Sequence, residues 1–194
     1  MTRRRICFLI IIFIIFLSEG LFLRAWFQKT ENTVGKQAMT ISQVVAQAVD
    51  VEHYEEIVRT KKRDDYFSAM QDYFRKAQQV TGVKYLYVKH KISDSQIEYI
   101  FDAEKDSLGE KDELFSPEAY SQKSSIHTGV KSYDNWGILI TGYSPLINSN
   151  GKIVGTVGTD LDANVVYQEF KFWAFSILLS TLIVILLIVL LVRI

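Results

Sequence analysis

Cysteine occurs once in the 194 residues, at Cys7, so neither an internal disulfide framework nor a Cys-based zinc site is available. Proline occurs only twice, and no Pro- or Gly-rich linker divides the chain. Net charge is absent as well: 22 Lys and Arg balance 22 Asp and Glu. Nucleic-acid binding normally leaves a basic excess, so that class is set aside. His53, His90 and His127 show no metal-ligand spacing. No phosphate loop, G-x-S-x-G or H-E-x-x-H motif occurs. No residue set argues for an enzyme, a metal or a cofactor.

What the chain has in excess is apolar sequence at its two ends. Ile6–Leu23 is broken only by Ser18, Glu19 and Gly20, and Phe172–Val192 carries no charge. A helix rises ~1.5 Å per residue, so about 20 residues cross a ~30 Å hydrocarbon core. The second run is long enough, and the first spans if its helix continues through Trp26, whose ring suits the interface. A cleaved signal peptide is the alternative for the first run, but no A-x-A-like site follows it. Arg3, Arg4 and Arg5 before the first run and Arg193 after the second place both ends in the cytoplasm. The segment between, Phe27 to Lys171, has 17 basic and 21 acidic residues, which suits an exposed domain. The expected organisation is a cytoplasmic N-terminus and first transmembrane helix over 1–27, an extracytoplasmic domain over 28–170, and a second transmembrane helix with its cytoplasmic end over 171–194.

Within the exported segment, Val34, Ala38, Ile41, Val45, Ala48 and Val49 approximate helical spacing, predicting a long helix over Gln28–Val49 that continues out of the membrane. Asp64 and Asp65 mark a second helix start, and the amphipathic run from Tyr66 to Ala77 ends before Gly82. Then composition turns to β. Val83–His90 and Gln96–Asp102 read as a hairpin, Ala103–Glu113 as an acidic loop, and Ser116-Pro117-Glu118 as the opening of a short helix. Ser125–Tyr133, Trp136–Ile147 and Lys152–Asp162 are further strands, the last two joined by a turn ending in Asn150-Gly151. The fold class is α+β, with a central antiparallel sheet of about five strands and helices on one face.

Three stretches together resemble the extracytoplasmic Cache family, the PAS-like sensor domains of bacterial transmembrane receptors. They are YLYV (Tyr85–Val88) followed by YIFDAE (Tyr99–Glu104), the aromatic turn SYDNWG (Ser132–Gly137), and GYSPLINSNGKIVGTVGTDLDANVV (Gly142–Val166). The resemblance covers about Val34 to Tyr167. It implies a small ligand, such as an amino acid, amine or carboxylate, held between sheet and covering loops. It also implies a homodimer in the bacterial inner membrane, paired along the Gln28–Val49 helix. The signal would pass through the second transmembrane helix to a cytoplasmic chemotaxis, histidine kinase or diguanylate cyclase output. The sequence ends at Ile194, so the expectation is a receptor without its output domain, a fragment, or a subunit acting through a partner. A non-binding anchor subunit is the competing class.

The candidate ligand residues follow. Alternation puts Asp160 on one face of the last strand with Val154, Thr156 and Gly158. An Asp matching this position in the family contacts a ligand amino group, as the resemblance implies, and a strand glycine beside it marks a close approach. The alternative for Asp160 is a helix cap, a role Asp162 fits better. Tyr133, Asp134 and Trp136 would suit a cationic or zwitterionic ligand, or else form an Asx-type turn with Trp136 as core. Tyr87, Tyr99, Phe101, Asp102 and Tyr143 are candidates for the pocket wall. Glu19 is read as snorkelling beside Arg24 at the interface, with a polar contact across a helix bundle as the alternative.

The flanking arginines generate a topology test. A reporter fused after Ile194 is expected in the cytoplasm, and external protease is expected to cut the 28–170 segment but neither terminus. An external reporter at that position would reverse the assignment.

Overall fold

The computed structural model describes residues 3–193, which form two compact units: Asn32–Ala163, and the residues up to Glu31 with those from Asn164 onward. Helix α1 runs from Arg3 to Gln47, α2 from Val51 to Thr60, α3 from Asp65 to Thr81 and α4 from Asn164 to Arg193. The strands are β1 (Tyr85–Lys91), β2 (Gln96–Asp102), β3 (Lys111–Glu113), β4 (Ile126–His127), β5 (Lys131–Tyr133), β6 (Gly137–Ile147) and β7 (Ile153–Asp162), with a 3-10 turn over Pro117–Tyr120.

The helix boundaries follow from capping. Asp64 accepts the Phe67 N–H at 2.9 Å and starts α3, and Gly82 closes it in the left-handed conformation, as expected. Helix α2 was not expected. Its signal is the same in kind: Asp50 accepts the N–H groups of Glu52 and His53 at 3.0 and 3.2 Å, and Tyr54 and Ile57 then form the buried side.

All pairings are antiparallel, in the order β3-β2-β1-β7-β6-β4, with β5 also on β6. Seven strands replace the five expected, for two reasons. Lys111–Glu113, read as loop because it is charged, pairs with Gln96–Glu98 at the sheet edge, where polar side chains are tolerated. The single strand expected over Ser125–Tyr133 is split. His127 pairs with Gly142 and Lys131 with Leu139, so three residues oppose two and the extra one breaks the ladder.

Helices pack on one sheet face, as the α+β element order predicted. Val45, Tyr54, Ile57, Phe67 and Phe74 bury against Leu86, Val88, Phe101 and Val157. Phe101 therefore belongs to this core, with its ring 5.6–5.7 Å from those of Phe67 and Phe74, and not to the opposite face where it was expected. The reason is a bulge: Val88 pairs with Phe101 but Lys89 with Tyr99, leaving Ile100 as the extra residue. Tyr99 and Phe101, two apart, consequently point to opposite sides.

Within Asn32–Ala163, α1 lies against the sheet almost backbone to backbone. Gly35, Ala38, Ser42 and Val45 recur at three- and four-residue steps and are buried. A Cβ on Gly142 of β6 would stand 2.2 Å from the Met39 backbone nitrogen. Ser42 Oγ sits 2.8 Å from both Gly142 O and Thr159 Oγ1, and His127 lies over Gly35 with Nε2 3.1 Å from Asn32 Oδ1.

Two helical stretches, Ile10–Gln47 and Val166–Leu190, are each long and apolar enough to cross a membrane. Thr181 donates its hydroxyl to the Glu19 carboxylate, and Phe27 meets Phe170 edge to face at 5.0 Å. Glu19 was expected to snorkel beside Arg24; the contact present is instead the alternative, a hydrogen bond between the two helices.

The seat of α1 generates a prediction. Gly142→Ala should lower stability by about 1–3 kcal/mol, because the clash is with backbone that has nowhere to move. Thermal unfolding of the full chain in detergent checks it, and an unchanged midpoint would remove α1 from this position.

Candidate functional site

The face of the sheet opposite the helices carries a row of polar and aromatic side chains, set by strand register. Tyr85 and Thr141 flank Asp160 on either side, Tyr87 and Tyr143 flank Gly158, and Tyr99 stands opposite Lys89. The pairing places them on one surface because residues opposite each other in a ladder share a face. Phe115 and Trp136 come over this surface from loops and Tyr133 from the end of β5, and together the set lines a cavity of about 80 Å³.

Asp160 is the buried charge, 5% exposed. Thr141 Oγ1 donates to its Oδ1 at 2.6 Å and Tyr87 Oη donates to the same oxygen at 3.3 Å. Among the described residues no hydrogen bond reaches Oδ2, and Asp160 is part of the cavity wall. The Tyr87 ring reaches this position because Gly158 has no side chain: a Cβ there would lie 2.1 Å from Tyr87 Cε2. The close approach expected at Gly158 is thus to the protein's own tyrosine.

Burial raises the Asp160 carboxyl to about 6, against the downward pull of the Thr141 hydrogen bond and the Lys89 charge. Burial likewise pushes the Tyr87, Tyr99 and Tyr143 hydroxyls well above the usual phenol range, leaving them neutral donors. Lys89 is held below its ordinary value by burial, with Asp160, Asp112 and Asp102 pulling the other way. The cavity wall carries four acids (Asp102, Glu104, Asp112 and Asp160) and two bases, Lys89 and Lys105. Tyr99 Oη donates to Asp112 Oδ2 at 3.1 Å, and Lys105 is paired with Glu110 at 2.6 Å.

Of the candidates from sequence, the cavity brings together Asp160, Tyr87, Tyr99, Asp102, Tyr143, Tyr133 and Trp136. Asp102 is tied down there by Glu104 N–H and the Ser107 hydroxyl. Trp136 is 39% exposed at the rim, edge-on to Tyr85 at 5.4 Å. Phe101 is absent for the reason given above. Asp134 is absent too: it is exposed in the turn between β5 and β6 and does not line the cavity. Tyr85, Lys89, Thr141 and Asp112 were missed. Period-two alternation from Tyr87 would have found Tyr85 and Lys89, whereas Thr141 and Asp112 depend on which strands pair. Among the described residues no cluster suited to a metal ion occurs.

No family model matches the chain, and no curated protein matches it in sequence. Solved structures do match in fold. The sensor domain of the V. cholerae histidine kinase DctB aligns at TM-score 0.59 and 10% identity, over 80% of this chain and 59% of that one. The E. coli DcuS sensor domain aligns at TM-score 0.52 and 12% identity, over 74% of this chain and 98% of that one. The chain therefore spans less than two thirds of the DctB domain and nearly all of the DcuS domain. The chain shares its fold with these two sensor domains, which is the fold the Cache resemblance implied.

The raised carboxyl generates a pH prediction. A group that binds its proton more tightly when folded contributes stability below its unfolded value of 3.8 that is lost as pH rises through about 6. The loss is on the order of 3 kcal/mol, from about two pH units at ~1.4 kcal/mol each. Stability of the full chain should therefore fall between pH 4 and 6 by more in the wild type than in Asp160→Asn. Parallel pH curves for the two proteins would show that Asp160 titrates normally.

Proposed function

We propose that this chain is a membrane-bound sensory protein whose 32–163 unit binds a small solute carrying a protonated amine, an amino acid or a simple amine. The observation that carries the reading is a buried carboxylate, hydrogen-bonded among the described residues at one oxygen only, in the wall of a cavity lined by tyrosines. An isolated buried carboxylate is costly, and an ammonium placed there would supply both charge and hydrogen bonds. The aromatic faces of Tyr87, Tyr99 and Tyr143 add cation–π attraction, and the acidic excess of the wall opposes a simple carboxylate.

The same two strands link this cavity to the helices. Thr141 and Asp160 face the cavity, while their neighbours Gly142 and Thr159 hold α1 through Ser42. A ligand that favours one spacing of β6 and β7 would shift the population of α1 positions, and β7 continues after one residue into α4. The signal would leave through the apolar stretch of α4 to a cytoplasmic output. Two copies would pair along residues 28–49.

A thermal-shift screen of amines, amino acids and short carboxylates on the full chain in detergent tests this. A charged hydrogen bond is worth roughly 1.5–3 kcal/mol, so Asp160→Asn should weaken a hit about 10- to 150-fold. Equal affinity in both proteins would remove Asp160 from the site, and no hit at all would favour a non-binding anchor subunit.

A further inference from the structure

We propose that Lys89 is a resident cation of this cavity, an internal occupant that an incoming protonated amine must displace from the faces of Tyr87 and Tyr99. The proposal rests on the amine reading of Asp160 and adds the regulation of that same site. The Lys89 Nζ lies 4.3 Å from the Tyr87 ring centroid and 4.5 Å from that of Tyr99. Those rings stand edge to face at 5.9 Å, so the ammonium fills the corner between them. Among the described residues it makes no hydrogen bond or ion pair.

Three observations favour an occupant over a fixed structural charge. First, an ammonium on a flexible four-carbon stem, held only by ring faces and by the field of nearby carboxylates, is weakly retained and readily rehydrated. Second, the cavity of about 80 Å³ leaves little room for a ligand while the lysine stays inside. Third, Asp160, Asp112 and Asp102 are the charges Lys89 feels, so the corner it fills is built for a cation. A ligand carboxylate resting on Lys89 would sit among those same acids. A solute amine and the lysine amine therefore compete for one environment, and the ligand-free cavity is kept neutralised by its own wall. Asp160 would be the ligand's anchor, and Lys89 the group whose withdrawal accompanies binding.

Calorimetry with butylamine and with norleucine on the full chain in nanodiscs separates the possibilities. Lys89→Met keeps the stem and removes the charge, and Lys89→Arg keeps a cation in the corner. Cation–π retention of about 0.5–2 kcal/mol corresponds to a gain of about 2- to 30-fold for both ligands in Lys89→Met. Lys89→Arg should bind no better than wild type. Butylamine affinity unchanged or weaker in Lys89→Met overturns the proposal, and a loss confined to norleucine would make Lys89 an anchor for the ligand carboxylate instead. If neither compound binds any of the proteins, the amine reading of Asp160 fails, and reductive methylation decides the occupancy separately. Lys89 should then react more slowly than exposed Lys105 and speed up in Tyr99→Leu. A rate equal to that of Lys105 in the wild type would overturn occupancy.

Discussion

The near-contact between the α1 backbone and Gly142 governs the arrangement of everything around it. With no side chain at that point, the helix comes close enough for Ser42 to reach both Gly142 O and Thr159 Oγ1. Strands β6 and β7 are thereby pinned from behind, and the residues on their other face, Thr141 and Asp160, are set at 2.6 Å from one another. A sheet only one residue thick has no slack between its faces. The geometry of the cavity and the seat of the helix are two sides of one strand pair.

On the cavity side the organising difficulty is electrostatic. Asp160 is buried among tyrosines, and the surroundings supply two hydroxyl donors to only one of its oxygens. The outcome is a carboxyl raised to about 6, near enough to neutrality to be sensitive to any charge brought beside it. Lys89 provides such a charge and, among the described residues, forms no ion pair, which leaves the site polarised. Structural cores avoid that state, because an unsatisfied buried polar group is destabilising. Binding sites retain it, because a ligand can complete the set.

On the helix side the packing is conventional. Phe101 is clasped by Phe67 and Phe74, and Tyr54 reaches across Gly155 toward the Val154 carbonyl. This face holds the sheet against its helices with close-packed side chains. The helical unit has its own polar contact in the hydroxyl of Thr181 on Glu19, a pairing that ties two apolar helices at one depth.

Much of this was legible in the chain itself. The two apolar runs, the long entering helix, the Asp64 cap, the β6–β7 hairpin and the inward face of β7 with Asp160 all follow from local periodicity and turn chemistry, which act over a few residues. Asp160 could be named from strand alternation together with the Cache resemblance, and Tyr87 and Tyr143 as aromatics on predicted strands. The rest required the sheet to be assembled. A one-residue bulge opposite Lys89 sent Phe101 to the core while Tyr99 stayed in the cavity, and no local pattern announces which residue of a strand will be the extra one. β3 arose from a charged segment because an edge strand needs backbone pairing more than apolar side chains. Asp112, Thr141 and Lys89 became neighbours of the site through ladders joining residues far apart in sequence. Composition and period thus determined the long helices, the main strands and which face is wet, whereas register, a property of pairs of strands, decided which side chains meet.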